Sequence, residues 1–232
     1  MPFIQITAAY SNAVLVAILP HVSNCAKQLE LPIAQPITVE QVGKFNASPY
    51  TNNVGGGLWL TNHYWFAFSF GCVNGFRSPD DWFTIQNFDN IERFSGNDNM
   101  TTNSAIDLAR SSFSKLGYQQ ETFHVNEQPT SLEIPSDSKK IGHVPYCRIT
   151  WESPQATTRE ERLKSYTVQF DIDLQHKQVV GMSLSGTNFW RQSPTIDVGL
   201  ESDYPKPIQS HTNVPVLHLN TGNPPTILRK PE

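Results

Sequence analysis

Little charge, few cysteines and no long apolar run mark this sequence, and each shortage removes a class of function. Charged residues make up 16% of the 232, below the roughly 25% usual in soluble proteins, so Asn, Gln, Ser and Thr must supply the polar surface. That mix leans towards an extracytoplasmic setting. The net charge is −4 and Lys and Arg are not clustered, which leaves no electrostatic footprint for nucleic acid and excludes it as a partner. Cys25, Cys72 and Cys147 form no CxxC pair, so neither a disulfide framework nor a compact zinc site is indicated. One bridge is allowed; the preferred reading is three buried thiols acting as small apolar side chains. The apolar run Ala13 to Leu19 stops at Pro20 with no basic residue before it. It is too short to span a bilayer and a poor secretory signal, so no transmembrane segment is expected. Seven histidines make no HxH, HxxxH or HExxH pattern, so no metal and no other cofactor is expected.

What is present is amphipathic patterning. In Tyr166 to Leu184 the apolar residues Tyr166, Val168, Phe170, Ile172 and Leu174 alternate with Thr167, Gln169, Asp171 and Asp173. The spacing predicts a β-hairpin in an antiparallel sheet, with the first set buried and the second facing water. Upstream, Ala105, Leu108, Ala109, Phe113 and Leu116 form a helical stripe. Thr102 or Asn103 is the expected cap and Gly117 the left-handed exit. A second stripe, from Ala8 to Glu30, is interrupted by Pro20, which predicts a kink or two short helices.

Between the two helical stripes, Gly55-Gly56-Gly57 reads as a flexible turn, since the Lys-Ser/Thr ending of a phosphate loop is missing. Leu58 to Leu60 and Trp65 to Val73 read as strands flanking a turn, with Asn74-Gly75 as a second turn. Ser78-Pro79-Asp80-Asp81 has the order of a helix start. Tyr118 to Val125 and Val144 to Glu152 are expected strands, and Arg159 to Lys164 is a charged connection. Six prolines from Pro205 to Pro231 predict an extended tail. The fold class is α+β: two helix-plus-antiparallel-sheet units, residues 1–95 and 100–190, meeting near Ser95 to Asn99, then a tail of residues 191–232. Their common outline suggests a duplication.

Candidate chemistry is sparse. His143 and Cys147 would lie on one strand face, but about 13 Å apart, too far for a nucleophile and its base. Asp171 and Asp173 share a face and could hold a divalent cation, yet the acids of an ordinary amphipathic strand explain them better. His21 borders a helical stripe without a second ligand, and His211 and His218 lie in the tail. Trp59, Tyr64, Trp65, Phe66, Phe68, Phe70, Trp82 and Phe83 are concentrated enough for a groove as well as a core. Packing is preferred for them, with Tyr64 and Trp65 the expected exposed exceptions. No catalytic or metal-binding residue is assigned.

The helix Thr102 to Gly117 and the hairpin Tyr166 to Leu184, with its turn Asp173-Leu-Gln-His-Lys-Gln-Val179, resemble the PepSY-like domains, bacterial modules in which an antiparallel sheet curls over one helix. Lys177 stands where the family turn carries glycine. If the turn keeps that geometry, Lys177 has a positive φ. The whole chain, including Ala9 to Pro20, also looks like a set of bacterial proteins without a described activity. The PepSY resemblance implies a noncatalytic module that binds or restrains a protein or peptide partner. A thiol- or metal-dependent hydrolase and a structural subunit of an assembly are the alternatives, and the oligomeric state is left open.

Overall fold

The structure, a computed structural model, describes residues 8–50, 53–69, 72–79, 100–134, 136–137, 142–143, 146–186 and 189. The chain divides into one unit, Met1–Leu200, and a second, Glu201–Glu232, so every described residue belongs to the first. The expected helix start at Ser78 to Asp81, the boundary at Ser95 to Asn99 and the proline-rich tail lie wholly or partly outside the described residues.

Helix α1 spans Ala8–Gln28 and buries Val14, Ile18, Val22, Cys25 and Ala26, a stripe at three- and four-residue steps. It is one helix, not two, and runs through Pro20. The proline removes the hydrogen bond to the carbonyl of Val16, but both residues sit on the exposed side, where water can satisfy that oxygen. The helix ends in a Schellman turn: Leu31 N donates to Ala26 O and Glu30 N to Lys27 O, with Glu30 at φ +56°.

Four antiparallel strands follow as a meander, β1 (Val42–Tyr50), β2 (Asn53–Leu60), β3 (Trp65–Ser69) and β4 (Cys72–Arg77). The glycine run is therefore strand interior, not a turn. Asn74-Gly75 lies within β4, and the stretch expected as one strand from Trp65 to Val73 is split between β3 and β4. At Gly56 a Cβ would come within 2.1 Å of the Asn46 carbonyl and 2.8 Å of the Phe68 ring, so glycine there marks close approach of chains.

Helix α2 (Thr102–Lys115) is capped by Thr101, whose hydroxyl accepts from Ser104 N at 3.2 Å, one residue before the expected cap. Gly117 makes the left-handed exit at φ +86°. Its buried stripe is Ala105, Ile106, Ala109, Ser112 and Phe113. Tyr118 to Val125 is not a strand but turns around a short 3-10 helix, Glu121–Phe123, which folds Phe123 against Phe113. Then come β5 (Ser131–Glu133), a separate two-stranded pair β6 (Ser136–Asp137) and β7 (Gly142–His143), β8 (Tyr146–Glu152), helix α3 (Arg159–Lys164), β9 (Tyr166–Asp173) and β10 (Gln178–Gly186).

The main sheet has the order β1-β2-β3-β4-β10-β9-β8-β5 and every pairing is antiparallel. The fold is α+β. Each half is a helix followed by four strands of this sheet, and the two last strands, β4 and β10, pair with each other through Met182 and Phe76. One cross-strand row, Phe45, Leu58, Phe66, Phe76, Met182, Phe170, Ile149 and Leu132, runs through the register of the whole sheet. Its six central members are buried on the face that receives the apolar stripes of α1 and α2. Side chains alternate across a sheet, so the neighbouring rows belong to the far face.

Candidate functional site

The far face carries a second complete row: Lys44, Trp59, Trp65, Arg77, Gly181, Asp171, Arg148 and Glu133, one residue from each strand. Directly opposed residues in adjacent strands touch, and this row divides into two kinds of contact. On β8 and β9, Arg148 donates to both oxygens of Asp171, through Nε at 2.7 Å and a terminal nitrogen at 2.9 Å. The Asp171 side chain is only 3% exposed, so the fork neutralises a buried carboxylate. Asp173 is buried as well: its carboxylate accepts from the backbone N–H groups of Gln175 and His176 and meets His176 Nδ1 at 2.7 Å. The expectation that Asp171 and Asp173 face water is thus corrected. Both share the far face, but their oxygens are committed to Arg148 and to the β9–β10 turn.

On β1 to β4 the row is aromatic and cationic. Lys44 Nζ lies 5.0 Å from the Trp59 ring centre, the Trp59 and Trp65 rings are 6.2 Å apart and tilted by 47°, and the Arg77 guanidinium is 5.6 Å from the Trp65 ring. Lys44 and Arg77 are exposed and both indoles are half-buried. The parallel row beside it is small and polar: Asn46, Gly57, Ala67 and Gly75. A Cβ on Gly57 would stand 2.9 Å from Trp65 Nε1, and one on Gly75 4.0 Å from the far edge of the same ring. Small residues therefore let the Trp65 indole lie close against the sheet. The Asn46 side chain accepts from Gly57 N at 2.7 Å, while the buried Trp65 Nε1–H has no acceptor among the described residues. An unmade hydrogen bond of this kind costs about 1–3 kcal/mol, which sets the position apart from ordinary core.

No family model, no curated protein and no solved structure matches the chain.

The aromatic cluster is thus divided by face. Phe66, Phe68 and Tyr64 are buried, which corrects Tyr64 as an exposed residue; Trp65 and, unanticipated, Trp59 hold the far face. The alternation of Leu58, Trp59 and Leu60, already read as a strand, carries that signal for Trp59. Phe70, Trp82 and Phe83 lie outside the described residues.

Cys25, Cys72 and Cys147 are buried and form no disulfide. Burial, with a smaller contribution from Asp171, pushes the Cys147 thiol up to about 12, and burial with Cys72 does the same for Cys25. The thiolate that nucleophilic chemistry needs is therefore disfavoured at neutral pH. His143 lies in β7, outside the main sheet. His21 is half-buried on α1, and His211 and His218 are outside the described residues, among which no three His, Cys, Asp or Glu gather as metal ligands and no helix is long and apolar enough to cross a membrane. A cleft of about 450 Å³ opens between the ends of β8, β9 and β10 and α3, where Glu152, Arg162, Tyr166 and several hydroxyls line it, without histidine or cysteine.

Proposed function

We propose that the chain is a noncatalytic binding or peptidase-restraining module whose contact surface is the far face of β1 to β4. One observation carries the reading: two half-buried indoles lie side by side, flanked by exposed Lys44 and Arg77, on the side of the sheet away from its helices. Aromatic residues and arginine are the types that dominate binding energy at protein contacts. Cys25 and Cys147 favour a noncatalytic role, being buried and held protonated. The PepSY-like resemblance of the C-terminal half has the same implication, and a repeated order of one helix and four strands supports a duplicated unit.

The test separates this reading from a thiol- or metal-dependent hydrolase. Native protein at neutral pH is mixed with a chromogenic disulfide, and metal content is measured after dialysis. We expect no thiol to react until the protein is unfolded, and no stoichiometric metal. One fast-reacting cysteine, or one retained metal ion per chain, would contradict the proposal.

A further inference from the structure

We infer that the Lys44, Trp59, Trp65, Arg77 row binds an extended acidic peptide, laid across strands β1 to β4 with a carboxylate at each end and proline or aliphatic side chains on the two indoles. The inference rests on the binding-module reading and adds its ligand class. Charge carries it first. From Gln41 to Pro79 there is not one Asp or Glu, while the chain as a whole is at −4. Within that acid-free stretch Lys44 and Arg77 sit at the two ends of the row, and the contacts described for each are with an indole. Arg148 and Lys115, in contrast, have carboxylate partners. The row thus presents two cations without a carboxylate of its own among the described residues.

Spacing selects the shape of the ligand. Lys44 and Arg77 belong to strands three inter-strand steps apart, about 14 Å, which an extended or polyproline chain covers in about four residues. Between them stand the two indoles, 6.2 Å apart and tilted by 47°, and proline rings dock on aromatic-lined surfaces at low entropic cost because the chain is already stiff. Two cations match two carboxylates. They do not match a nucleic acid strand, which brings a phosphate with every nucleotide to a protein of net negative charge.

The experiment is a titration of the full chain, followed by tryptophan fluorescence and calorimetry, with three probes: acetyl-Asp-Pro-Pro-Pro-Asp-amide, its Asn-for-Asp counterpart and a short thymidine oligonucleotide. We expect the acidic peptide to bind, and the neutral peptide about tenfold more weakly or not at all. Lys44→Gln and Arg77→Gln each weaken binding about threefold, and the double variant about tenfold; both side chains are exposed, so folding is not at stake. Trp59→Ala removes binding while Trp151, buried elsewhere, still reports a folded protein. The inference is overturned if the acidic peptide fails to bind at about 1 mM. Equal binding of both peptides, binding indifferent to the two Gln changes, or tighter binding of the oligonucleotide would overturn it too. If the peptide fails and the thiols stay inert, only the ligand assignment falls; a reactive thiol removes the noncatalytic reading whatever the peptide does.

Discussion

Lys177 turns the β9–β10 hairpin at φ +57°, in the left-handed region where a Cβ costs about 1 kcal/mol. Asp173 caps the same turn by accepting from two backbone N–H groups, so the geometry is held from its first residue and the strain falls on its last. Lys177→Gly should raise stability by a few tenths to about 1 kcal/mol in urea denaturation, the relief exceeding glycine's larger unfolded-state entropy. A loss of stability would mean that the turn is right-handed in solution. The thiols give a second expectation at this scale. Cys25 and Cys147 move from an ordinary 9.0 to about 12, so above pH 9 the unfolded chain releases these protons and the folded chain does not. Their stabilising contribution is complete below pH 9 and is lost as pH rises towards 12, at about 1.4 kcal/mol per thiol and pH unit. The stability difference between the native chain and Cys147→Ala should therefore shrink by about that slope between pH 9 and 10.5. A difference independent of pH would show that Cys147 is not shielded from solvent.

Strand β2 shows how an element can be hidden by its own composition. Gly55-Gly56-Gly57 carries no side-chain alternation, so the run reads locally as a turn, although it is paired on both sides, to β1 and to β3. The reason for glycine lies on the two neighbouring strands, in the Asn46 carbonyl of β1 and the Phe68 ring of β3. Gly56→Ala should destabilise by about 1–3 kcal/mol, and trimming Phe68 should not rescue it, because the nearest atom is backbone. Gly43→Ala, where the closest atoms are 3.7 Å away or more, is the control and should stay within about 0.5 kcal/mol. Equal effects in a thermal melt would mean that β1 and β2 are not packed as described. The same locality explains other differences: Asn74-Gly75 is a turn dipeptide by composition but occupies the irregular step of β4 opposite Ala67 and Phe68. What was legible is what repeats within one element, such as Ala105, Ala109 and Phe113 in the stripe of α2, its exit at Gly117 and the buried Val168, Phe170 and Ile172 of β9; Leu108 and Leu116, expected in the stripe, are half-buried.

At the scale of the whole molecule, the site was not legible, because it is made by register and not by sequence neighbourhood. Trp59 and Trp65 belong to one hairpin, but Lys44 and Arg77 reach them only when β1 and β4 are aligned, and Asp171 is buried only because Arg148, 23 residues away in sequence, sits opposite it. The α+β class and the helix-then-sheet outline of each half could be read from patterning; that the halves share one sheet could not. Their junction is short, with Gly181, Met182 and Ser183 facing Arg77, Phe76 and Gly75, extended by Ser78 N donating to Val180 O at 2.7 Å. The far-face row is continuous only if that junction holds in solution. Hydrogen exchange under increasing urea tests it most directly. The amides of β2 to β4 should exchange through the same global opening, at the same free energy and urea dependence, as those of β9 and β10. Exchange of β2 to β4 through a separate opening several kcal/mol lower than that of β9 and β10 would contradict a single cooperative sheet joined at β4 and β10.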